Sequence, residues 1–77
     1  MRLYTLDGKC NISGERIKSA RTKAKLTQDQ LAARLQVAGL QMGQMAISRI
    51  ESGKRLVSDF ELPIIAEALN VSTDWLL

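Results

Sequence analysis

Apolar residues recur at intervals of three and four along most of the chain, the spacing of a helix with one buried face. Ile17, Ala20 and Ala24 form a narrow stripe over about 14–24. Leu31, Ala32 and Leu35 form a second from about 28, and Ile47 and Ile50 a third over about 44–52. Leu62, Ile65, Ala66 and Leu69 complete the full i, i+3, i+4, i+7 pattern, and Trp75 with Leu76 predicts a short fifth helix closing the core. The pattern predicts an all-α fold, a compact bundle of about five short helices.

Polar punctuation supports these boundaries. Thr27 and Gln30 have capping-box spacing, in which each side chain satisfies the other's orphan backbone donor. Ser58 and Glu61 repeat the device, and Ser72 offers a third cap with Asp74 in the following turn. Gly53 and Asn70 fall where helices end, and both residue types accept the left-handed cap conformation. Pro63 stands about five residues into the fourth helix, where it removes a backbone bond and is expected to bend the helix.

Two segments resist this reading. Residues 3–12, "LYTLDGKCNI", place Asp-Gly between β-prone flanks, which fits a hairpin and equally a flexible N-terminal arm. Residues 37–45, "VAGLQMGQM", carry no charge and separate two helices, as a passive connector or as a device that aims the second.

Seventy-seven residues make one domain, just large enough to bury a core unaided. No apolar run approaches the roughly 20 residues of a membrane span, and the N-terminus does not read as a secretory signal. The lone Cys10 allows no internal disulfide, which suits a reducing compartment, so a soluble cytoplasmic protein is expected. The net charge of +3 conceals an asymmetry. Nine Lys/Arg between Arg16 and Arg55 face only Asp29 and Glu51, whereas Asp59, Glu61, Glu67 and Asp74 follow with no base. A mixed solvated surface scatters the two signs; a basic front with an acidic rear suits docking on a polyanion.

The third helix carries the candidate chemistry. With Gly43 as its N-cap, Ile47 and Ile50 face the core beside Ala46, while Gln44, Met45, Ser48 and Arg49 share the opposite side. Gln pairs bidentately with adenine, Arg with guanine, Ser with either, and Met packs on a thymine methyl. A plain solvated face more often carries Glu and Lys. Lys54 and Arg55 follow on a loop, where they can neutralise phosphates.

The stretches "LTQDQLAARL", "ISRIESGKR" and "ELPIIAEALNVSTDWLL", in that order, resemble the Cro/CI-type (XRE) helix-turn-helix domains of phage repressors and small bacterial regulators. The resemblance spans residues 14–77 and leaves 1–13 as an arm or hairpin. It implies a lambda-repressor-like bundle in which the second helix braces the third in the DNA major groove. It implies base contacts from Gln44, Met45, Ser48 and Arg49, phosphate contacts from Gln28, Lys54 and Arg55, and a structural pair of Arg21 with Glu51. Gln28 would also buttress Gln44, and relatives sometimes carry a proline where Pro63 stands. One feature departs from the pattern. The family's turn is tight, whereas Leu31 and Ile47 stand sixteen apart, about five residues more. Val37, Leu40 and Met42 are apolar enough to tack the lengthened turn to the core.

The expected function is a sequence-specific regulator of transcription that binds double-stranded DNA as a homodimer, its acidic C-terminal part being the pairing surface. The second reading is an antitoxin-like or adaptor protein using the same fold to hold a protein partner, with Met42 and Met45 exposed for it. Catalysis is not expected. There is no histidine, Cys10 has no imidazole to activate it, and the acids are scattered. No cofactor, metal ion or membrane partner is expected, and RNA binding lacks interleaved aromatics to stack on bases.

Overall fold

The computed structural model describes residues 8–77, so the hairpin-or-arm question for residues 3–7 lies outside the described residues. Five helices follow in order: α1 (Gly14–Lys23), α2 (Gln28–Val37), α3 (Gln44–Glu51), α4 (Glu61–Ala68) and α5 (Thr73–Leu76). α3 packs on both α1 and α2, α4 on α2 and α5, and α5 returns to α1. The core that joins them is aliphatic. Ile17, Leu31, Leu35, Ile47, Ile50, Ile65 and Leu76 are its most deeply buried large side chains. No described helix is long and apolar enough to cross a membrane.

The four longer helices end alike. In each, the second residue past the cap donates to a carbonyl five residues back and the residue before it to one three back, the Schellman arrangement. The pairs are Leu26 to Arg21 and Lys25 to Thr22 after α1, and Leu40 to Leu35 and Gly39 to Gln36 after α2. They continue with Lys54 to Arg49 and Gly53 to Ile50 after α3, and Val71 to Ala66 and Asn70 to Glu67 after α4. The motif requires a positive φ at its centre, found at Lys25, Gly39, Gly53 and Asn70. Gly and Asn accept that conformation; Lys25 holds it at a steric cost.

The helix starts agree in part with the expected caps. Thr27 and Gln30 close a complete capping box, and Ser72 Oγ accepts from the Trp75 amide. The second box is only half formed. The Glu61 carboxylate accepts from the Ser58 amide at 3.0 Å, but the Glu61 amide turns to the Ser58 carbonyl at 3.1 Å. Ser58 Oγ is buried with no partner. Pro63 is the third residue of α4, not about the fifth, so its missing N–H falls in the first turn, where the amides have no partner within the helix, and the bend expected from it has no cause.

The lengthened turn, residues 38–43, is seated in part as expected. Leu40 and Met42 are buried, while Val37 is 92% exposed and pins nothing. Val37 closes the last turn of α2 on its solvent side, and the reversal at Gly39 sends Leu40 inward instead. Met42, at 4% exposure, also cannot serve the exposed partner surface considered for it. Ala24, expected in the α1 stripe, is the exposed cap of that helix.

Candidate nucleic-acid interface

The outward face of α3 is built as the sequence predicts. Ile47 and Ile50 anchor the helix in the core and Ala46 is half-buried beside them. Met45, 65% exposed, and Arg49 stand in solvent, with Gln44 and Ser48 partly covered. Gly43 brings no capping side chain, so the first turn of α3 leaves its backbone amides open.

Beneath this face runs a continuous polar chain. Arg21 donates to both Glu51 oxygens, at 2.6 and 3.0 Å, and also to the Leu26 carbonyl at 2.7 Å. Accepting these bonds, Glu51 raises the Arg21 pKa further above its ordinary value. With side chains only 11% and 4% exposed, the pair fixes α1 to the end of α3, and removing one partner strands a buried charge. Glu51 Oε1 accepts a third bond, from Gln28 Nε2 at 3.0 Å. Gln28 Oε1 in turn accepts from Gln44 Nε2 at 2.5 Å. The enlarged turn has therefore not parted Gln28 from Gln44. α2 and α3 keep their contact across it, with Leu40 and Met42 turned into the core.

The far end of α3 is held by residues that the sequence reading missed. Asn11 donates to the Ile50 carbonyl at 3.0 Å and the Arg55 carbonyl at 2.7 Å, and accepts from the Gly14 amide at 2.8 Å. The Cys10 amide donates to the Gly53 carbonyl at 2.7 Å. Gly14 is required by close approach: a Cβ there would strike the Ile50 carbonyl oxygen. These contacts join positions about forty residues apart, and no local pattern announces them.

The basic front is thinner than a count suggests. Arg16 donates to the Trp75 carbonyl at 2.9 Å and lies over its ring, 5.3 Å from the centroid. Arg34 donates to the Ala68 carbonyl, and Arg55 is forked onto Glu61 at 3.2 Å on both arms. With Arg21, four of the nine cations serve the fold. Lys18, Lys23, Lys25, Arg49 and Lys54 stand exposed. Among the described residues, no cluster of three or more His, Cys, Asp or Glu could hold a metal ion.

A helix-turn-helix family model matches residues 17–76, nearly the whole of the bundle. The chain belongs to the Cro/CI-type helix-turn-helix family. Two solved structures share its fold. The P22 c2 repressor, in complex with synthetic operator 9T, is 31% identical over 87% of this chain and 94% of that one, with a TM-score of 0.72. The restriction-modification controller protein C.AhdI from Aeromonas hydrophila is 29% identical over 84% of this chain and 87% of that one, with a TM-score of 0.73. No curated protein sequence matches significantly. In family terms α2 and α3 are the helix-turn-helix pair, joined here by a six-residue turn.

Proposed function

We propose that this family member is a transcriptional regulator that reads double-stranded DNA with α3. The observation that carries the reading is the uncharged, hydrogen-bonding tip of α3, presented outward on a helix whose two ends are rigidly held. Gln44, Met45, Ser48 and Arg49 meet base edges in the major groove. Gln28, Lys54 and Arg55 meet phosphates, Lys54 most freely because Arg55 is already shared with Glu61. A repressor of similar fold bound to operator DNA supports the same docking for this chain.

The protein acts as a homodimer. One eight-residue recognition helix reads only a few base pairs, and two-fold repetition doubles the site. The acidic part from Ser58 onward, which displays Phe60, Trp75 and Leu77, is the surface expected to pair.

Equilibrium binding to a preferred duplex tests the assignment. Gln44→Ala is expected to lose about 1–3 kcal/mol, concentrated at one base position. Lys54→Ala is expected to weaken all sequences alike and reduce the salt slope by about 1. Uniform weakening by Gln44→Ala would remove Gln44 from base reading, and an unchanged slope would remove Lys54 from the phosphates.

A further inference from the structure

We propose that Glu51, which faces no DNA, determines which base Gln44 reads, by fixing the donor–acceptor order of two intervening amides. The inference rests on the DNA-reading role of α3. A glutamine amide can turn end for end, exchanging its oxygen and its NH2 at small cost unless its neighbours decide. Here they do. The Glu51 carboxylate, forked by Arg21, offers only acceptors, so Gln28 must face it with NH2. That choice turns Gln28 Oε1 toward Gln44, which must answer with its own NH2.

One Nε2 hydrogen of Gln44 is thereby committed, leaving an outward set of one oxygen and one N–H. Adenine presents the complement, an N6 donor beside the N7 acceptor, whereas guanine presents two acceptors. Relaxing the order lets the Gln44 amide turn and meet guanine with its NH2. Glu51 is a positioning residue: it sets specificity through Gln28 without touching a base.

Selections from random duplex DNA with the wild type, Glu51→Gln and Arg21→Lys test this directly. In the wild type, the position whose preference disappears in Gln44→Ala favours adenine. In Glu51→Gln the adenine-over-guanine preference there falls about tenfold, because a neutral amide can present either end. The other positions keep their preferences. Arg21→Lys lowers thermal stability yet retains the adenine preference, since the carboxylate still faces Gln28.

If Glu51 only props up the fold, both variants weaken every position alike; that result overturns the relay, as does an adenine preference kept intact in Glu51→Gln. A wild type with no preference at all overturns the DNA reading instead. Should Glu51→Gln fail to fold, amide exchange in the free wild-type protein decides. The side-chain NH2 hydrogens of Gln28 and Gln44 are expected to exchange several-fold more slowly than those of the exposed Gln36 and Gln41. Equal rates contradict the relay.

Discussion

Thr27 and Ser58 occupy equivalent places in the sequence pattern, yet the structure uses them differently. Thr27 Oγ1 accepts from the Gln30 amide, while Ser58 Oγ is buried and accepts nothing. Thr27→Ala is therefore expected to lose about 1 kcal/mol in urea unfolding, the usual value of a cap. Ser58→Ala is expected to stay within about 0.5 kcal/mol of wild type, or to gain, because it removes an unsatisfied hydroxyl. A full cap-sized loss from Ser58→Ala would contradict the half-formed box. Lys25 gives a prediction of opposite sign. Its φ of 59° is one that glycine adopts without a Cβ clash, so Lys25→Gly is expected to stabilise by up to about 1 kcal/mol in the same assay. The sequence disclosed the Gly53 and Asn70 reversals by residue type. It hid Lys25, because a lysine in the left-handed region is imposed by the bonds around it.

The helices themselves were legible, since spacing and caps reported the same boundaries independently. The lengthened turn was only half legible. Its apolar residues announced that something would be buried, but Val37, Leu40 and Met42 looked alike until the Gly39 reversal separated them. Leu40 follows that reversal and is buried, so Leu40→Ala is expected to cost about 2–4 kcal/mol. Val37→Ser is expected to change thermal stability by less than about 0.5 kcal/mol. Equal losses would mean that the turn is seated otherwise. The contact of Gln28 with Gln44 is what the turn preserves. The six-residue turn takes up only about two or three of the five additional residues, so the others lengthen α2, a division that spacing alone could not give.

Across the molecule, the basic residues divide between those that hold the fold and those that stand in solvent. The sequence located the basic front, but it could not separate Arg16, Arg34 and Arg55, whose partners lie in the C-terminal half, from lysines free in solvent. The Arg55–Glu61 bridge predicts an acid response. Burial pushes the Glu61 carboxyl up, but hydrogen bonds from Arg55 and from the Ser58 amide outweigh it and leave its pKa below the ordinary value. A depressed carboxylate contributes stability that is complete above its unfolded pKa and disappears as pH falls through the folded one. Wild-type melting temperature is therefore expected to fall, as pH drops below about 4.5, more steeply than that of Glu61→Gln. Parallel profiles would show that the bridge contributes nothing measurable.

Selection of preferred sites from a random duplex pool at physiological salt tests the DNA-reading account most directly. The account predicts a short two-fold symmetric site, with one position per half that loses its preference in Gln44→Ala. Recovery of unenriched sequence, or of a site unaltered by Gln44→Ala, would contradict it.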